Sequence, residues 1–135
     1  MSFIEWDDKY SVNITKVDDQ HKHFMSIINK LYDALMVDQH PKPVIEKIVN
    51  ELVDYTDYHF KTEENWFEQH NYSDKEAHKQ QHDNLRAQVY KLRDDFAANR
   101  VEIDLSVLSF LTEWLVEHIL GSDMEYSPYL ISKNV

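Results

Sequence analysis

Side chains of one character recur along most of this chain at spacings of three and four, the period of an amphipathic α-helix. Val17, His21, Phe24, Ile28, Leu31 and Leu35 form a first stripe, which stops before His40-Pro41-Lys42-Pro43. Ile45, Ile48, Leu52, Tyr55, His59, Thr62/Glu63 and Trp66 form a second, ending near Asn71. His78, His82, Leu85, Val89, Leu92 and Phe96 form a third, and Leu108, Leu111, Leu115 and His118 a fourth. Ser73-Asp74-Lys75-Glu76 has the form of a capping box opening the third helix, Asp104 is placed to cap the fourth, and Gly121 is placed to end it in a left-handed conformation. The pattern predicts helices over roughly 18–38, 43–70, 74–97 and 104–120. Met1 to about Lys16 is expected to form an irregular arm, and Met124 to Val135 a short C-terminal tail or extra helix. Four amphipathic helices with short connections favour an all-α, antiparallel up-down-up-down four-helix bundle.

Composition narrows what such a bundle can do. A length of 135 residues suits one domain, 1–135, with one core. The formal net charge of −11 argues against nucleic acid or an anionic membrane surface as partner. With no Cys, disulfides, iron–sulfur clusters and thiolate zinc sites are excluded. The first ten residues, MSFIEWDDKY, lack the basic-then-apolar order of a secretory signal. The apolar stretch Val107 to Leu120 is broken by Glu113, Glu117 and His118, so no membrane span is expected, and the cytoplasm is the expected location.

The histidines change the picture most. His21, His59, His78, His82 and His118 all fall on stripes that should face the core, and Glu63 lies one turn beyond His59. Burying polar groups without partners costs about 1–3 kcal/mol each, so this set needs a common partner. In an antiparallel hairpin, residues equidistant from the turn lie at one height. His21 and His59 are centred on residue 40, the 59/63 and 78/82 pairs between His70 and Asn71, and the 78/82 pair and the 118/123 pair near Arg100. All three centres fall in expected connections, so the residues meet in one layer. His59/Glu63 and His78/His82, four apart, share a helix face. Asp123, five after His118, would point away in a regular helix unless the chain turns at Gly121. His23, His40 and His70 lie off the stripes or in turns and are expected to be solvated.

Taken singly, each spacing is weak. Jointly, seven donors exceed one tetrahedral zinc and suit two metals bridged by carboxylates. Imidazole ligands leave Fe, Zn, Cu and Ni open. Two octahedral metals holding five imidazoles, two bridging carboxylates and a bridging oxide or hydroxide would keep one position free for a small ligand.

The full order, from Val17-Asp18-Asp19-Gln20-His21 through His59-x-x-x-Glu63 and His78-x-x-x-His82 to Trp114-Leu115-x-x-His118-Ile119 and Asp123, resembles the bacterial members of the hemerythrin family. The resemblance covers essentially the whole chain and departs from the family pattern at no ligand position. It implies two Fe ions with a bridging oxide or hydroxide: His78, His82 and His118 on one, His21 and His59 on the other, which keeps the vacant position, and Glu63 and Asp123 bridging both. It implies reversible binding of O2, for storage, delivery or sensing, rather than enzymatic turnover, and no catalytic residue. Leu115, Ile119, Phe24 and Phe60 are candidates to line an apolar O2 pocket. An oxygen-using enzyme or signalling protein is a conceivable partner, and a monomer is favoured. Rival readings are a di-iron oxidase, peroxidase or ferroxidase, a metal-dependent sensory module, and a zinc or structural bundle. The Glu-x-x-His pairs of ferritin-like enzymes do not occur in this sequence.

Overall fold

The computed structural model describes residues 3–135. Among them, four long helices form the bundle: α1 (Thr15–Tyr32), α2 (Lys42–His70), α3 (Lys75–Ala97) and α4 (Leu105–His118), followed by a short α5 (Met124–Ser132). α2 packs against both α1 and α3, and α1 also packs against α4. Each helix buries one stripe, such as Val17, His21, Phe24, Ile28 and Leu31 on α1 and Ile45, Ile48, Leu52, His59 and Glu63 on α2.

The helix ends follow from local chemistry, not always as expected. Asn71 ends α2 in a left-handed conformation (φ 53°, ψ 46°) with its N–H bonded to the Phe67 carbonyl. Asp104 caps α4, accepting from the backbone N–H of Ser106 and Val107. The capping box at Ser73 is not formed. α3 begins one residue later, after Asp74, and no side chain caps it. The tight Asn71-Tyr72 turn delivers the chain directly into the helix, with the His78 N–H already bonded to the Asp74 carbonyl.

Two π-helical turns are the larger departure. Asp33–Val37 closes the first helix in this way, with Ala34 buried and the expected Leu35 half-buried against the core. Ile119–Asp123 continues α4 into α5 without a break. Gly121 therefore does not end the helix. Its φ is negative, and a Cβ placed on it would meet nothing within 4 Å.

The N-terminal arm, which contains one 3-10 turn at Asp8–Tyr10, is tied down at both ends. The Asn29 side chain accepts from the Ile4 N–H (2.8 Å) and donates to the Ile4 carbonyl (2.7 Å). The Asp18 carboxylate accepts from the Val12 N–H (2.9 Å) and the Ser11 hydroxyl (2.5 Å). Ser127 of α5 donates to the Val12 carbonyl, so the arm joins the start of α1 to α5. Replacing Asn29 with Ala removes both bonds to Ile4 and is expected to cost about 1–3 kcal/mol of unfolding free energy, read as a lower urea midpoint. An unchanged midpoint would show that the arm is not held there.

Candidate metal centre

The four long helices turn six polar side chains toward one another, and the π turn after α4 adds a seventh, Asp123. His21 comes from α1, His59 and Glu63 from α2, His78 and His82 from α3, and His118 from α4. All are buried, as is Asp123. Asp123 reaches the group because it ends the second π turn. There the backbone hydrogen bonds span five residues instead of four, so the residue five beyond His118 takes the inward place that the fourth would hold in an α-helix.

The inward atoms are the five Nε2 nitrogens and the carboxylate oxygens. Asp123 Oδ1 lies 3.1 Å from His78 Nε2 and 3.0 Å from His118 Nε2, and its Oδ2 lies 2.9 Å from His21 Nε2. Glu63 Oε1 lies 3.1 Å from His82 Nε2, 3.4 Å from His59 Nε2 and 3.8 Å from His78 Nε2. Two overlapping groups result: Glu63 with His78, His82 and His118, and His21, His59 and Asp123 with the same Glu63. Within each, the donor atoms lie within 4.8 Å of one another.

Eight buried side-chain nitrogen or oxygen atoms among the described residues have no hydrogen-bond partner, and seven of them belong to His21, His59, Glu63, His78 and Asp123. His82 Nε2 and His118 Nε2 face each other at 3.3 Å, where two lone pairs would repel. Buried polar atoms are ordinarily paired, and imidazole nitrogens with carboxylate oxygens are donors for transition-metal cations. The donor set therefore fits cations seated among these atoms. His23 and His40 are exposed, His70 is half-buried at the end of α2, and none of the three belongs to either group.

An outer layer orients the rings, and the periodicity of the sequence did not reveal it. His59 Nδ1 lies 2.6 Å from Gln20 Oε1, His118 Nδ1 3.0 Å from Gln81 Oε1, and His82 Nδ1 2.7 Å from Glu64 Oε2. Each acceptor is consistent with a ring that donates from Nδ1 and keeps the Nε2 lone pair inward. The Tyr126 hydroxyl donates to Glu63 Oε2. Phe60 lies flat on His82, with ring centroids 3.8 Å apart and planes 4° off parallel, and Trp114 lies on His118 at 4.5 Å. Phe24, Leu115 and Ile119 are fully buried.

Protonation follows from this crowding. Burial and Asp123 push the Glu63 carboxyl up, but His59, His78 and His82 outweigh them and hold it below its ordinary value. Burial likewise opposes the charge on Asp123, yet His118, His21 and His78 hold it well below the carboxylate range. Burial lowers His59 to about 4 against the pull of Glu63. For His78, burial is outweighed by hydrogen bonds to Asp123 and Glu63, which raise it to about 9. Burial and the neighbouring Glu63 push the Tyr126 hydroxyl well up, so it stays a donor.

Known proteins carry the same pattern. Residues 12–130 match the hemerythrin HHE cation binding domain. A bacteriohemerythrin of Methylococcus capsulatus is 34% identical over 131 residues, covering 96% of this chain and 98% of that protein. Bacteriohemerythrins of Pseudomonas aeruginosa (33% over 126 residues, 93% of this chain and 80% of theirs) and Clostridium acetobutylicum (32% over 130 residues, 90% and 96%) are similar. The crystal structure of a wild-type hemerythrin superposes with a TM-score of 0.89 at 33% identity, covering 94% of this chain and 97% of that one.

In the metal-free chain, two histidines set opposing pH slopes. His59 titrates near 4 when folded and near 6.5 when unfolded, so protons favour the unfolded chain and stability falls as pH drops from 6.5 toward 4. The lowered carboxyls add to the loss at lower pH. His78 binds its proton more tightly when folded, so its contribution is complete below 6.5 and disappears as pH rises through about 9. Urea unfolding of the metal-free chain should show maximal stability near pH 6.5, and His78→Gln should flatten the alkaline slope. A profile that rises steadily to pH 9 would contradict this.

Proposed function

The chain belongs to the hemerythrin family, and on that premise we propose that it holds a pair of iron ions and binds O2 reversibly, for storage, delivery or sensing. The observation that carries the proposal is the convergence of buried, partnerless nitrogens and oxygens into two groups that share Glu63. Seven donors exceed what one tetrahedral zinc accepts. In this reading His78, His82 and His118 hold one ion, His21 and His59 hold the other, and Glu63 and Asp123 reach both, with a bridging oxide or hydroxide. When bound, such a pair supplies two electrons beside an open coordination position, on the ion with two histidines.

The chain's own residues do the rest. Gln20, Glu64 and Gln81 fix the ring orientations of His59, His82 and His118. Tyr126 engages one oxygen of Glu63 and leaves the other facing the histidines. Leu115 and Ile119 flank His118 on the chain and, like Phe24, are fully buried; in this reading they form an apolar wall that keeps water and protons from promoting irreversible oxidation. Phe60, fully buried and stacked on the face of His82, is the fourth residue placed in that wall by this reading. The donor set contains more neutral imidazoles and fewer carboxylates than the Glu-x-x-His sites of ferritin-like oxidases, which supports a carrier over an enzyme. No helix among the described residues is long and apolar enough to cross a membrane.

The direct test loads the chain anaerobically with ferrous iron, counts the ions, admits O2 and then removes it while visible absorption is followed. Two ions per chain and oxygenation bands that vanish on deoxygenation are expected. Catalytic turnover of an added reductant or peroxide in place of reversal would overturn the carrier reading. Leu115→Ala should retain both irons but autoxidise faster than the unsubstituted chain. An unchanged rate would remove Leu115 from the wall.

A further inference from the structure

The imidazoles of the site differ in what stands behind them. The Nδ1 of His59 and of His118 faces a neutral amide oxygen, from Gln20 and Gln81, and the second is shared with the Ser122 hydroxyl at 2.6 Å. The Nδ1 of His21 is buried with no partner. His82 alone among these faces a carboxylate, Glu64, at 2.7 Å.

That carboxylate is itself clamped. Arg86 reaches Glu64 with both terminal nitrogens, Nη1 at 2.9 Å from Oε2 and Nη2 at 3.2 Å from Oε1. Asp83 (2.9 Å) and Asp57 (3.3 Å) fix Arg86 in turn, and the Tyr90 hydroxyl donates to Asp57 at 2.6 Å. The guanidinium also lies 5.2 Å from the centroid of the Phe60 ring, which stacks flat on His82. Arg86 thus supports His82 along two routes: its edge through Glu64 and its face through Phe60.

A ring N–H donated to an anionic acceptor makes the opposite nitrogen more basic and fixes its direction, as carboxylate–histidine–metal arrangements do. We propose that Glu64, held by Arg86, is a positioning residue that makes His82 the strongest imidazole donor of the site, biasing the three-histidine position toward the ferric state. The inference rests on the di-iron reading above. The competing role is structural: a Glu64–Arg86 ion pair that only staples α2 to α3.

Two substitutions with opposite expected signs separate these roles. Glu64→Gln keeps the shape and an acceptor oxygen but removes the charge. Gln81→Glu places a charge behind His118. Each variant is loaded anaerobically with iron, and the midpoint potential, the rate of ferrous iron loss to a chelator and the urea midpoint are measured. Glu64→Gln should shift the potential positive and release iron roughly 10–100-fold faster, and Gln81→Glu should shift the potential negative. A lowered urea midpoint with potential and iron release unchanged would overturn the proposal in favour of the staple. If Glu64→Gln fails to hold iron, Gln81→Glu decides alone: an unchanged potential overturns the proposal and a negative shift supports it. Failure of the unsubstituted chain to bind two irons would overturn the di-iron reading and this inference together.

Discussion

An apolar bundle that buries two carboxylates and five imidazoles at its centre has a single large electrostatic problem, and most of the molecule is arranged around it. Removed from water, these groups are held by one another and by the outer layer of Gln20, Gln81, Glu64 and Tyr126, and inward lone pairs still face lone pairs, as at His82 and His118. Cations at the centre convert that repulsion into binding energy. The hydrophobic layer toward the Pro41 end, with Ile28, Leu52, Leu85 and Leu108 fully buried, supplies the stability against which such a centre can be held open and in register.

Most of the fold was legible because helix period and turn position are written locally. Spacings of three and four located the buried faces, and the Pro-flanked break, Asn71 and Asp104 marked boundaries that the structure places within a few residues. The clustering of His21, His59, Glu63, His78, His82 and His118 followed from counting residues back from those turns. The errors are equally local. The Ser73 box lost to a tight turn that already delivered the chain into α3. Gly121 was misjudged because a single extra residue in a helical turn changes which side chain faces inward, and an α-helical period has no means of signalling it.

The outer layer was not legible for a different reason. Gln20, Gln81, Glu64 and Arg86 are polar residues on or beside solvent-facing positions, and nothing in their spacing distinguishes them from ordinary surface residues. Their role appears only once the rings they touch have been placed, because the relevant distances connect different helices. Three of them nevertheless sit next to ligands in sequence: Gln20 before His21, Glu64 after Glu63 and Gln81 before His82. Each follows or precedes a ligand of its own helix while serving a ring elsewhere: Gln20 on α1 holds His59 of α2, and Glu64 on α2 holds His82 of α3. The outer contacts therefore also lock helix to helix at the level of the site.

The π turn over Ile119–Asp123 has a consequence for how this stretch can vary. Leu120 and Gly121 are exposed, and Gly121 has open space where a side chain would begin. These letters are thus free to be exchanged, and the constraint falls on pairing their number with the kind of turn. A one-residue deletion here could be absorbed by return to a regular α-helix, in which the carboxylate four beyond His118 holds that same inward place, whereas a further inserted residue would swing it by about 100° around the axis. At this position a one-residue gap in an alignment would mark a change of helical turn rather than loss of the carboxylate.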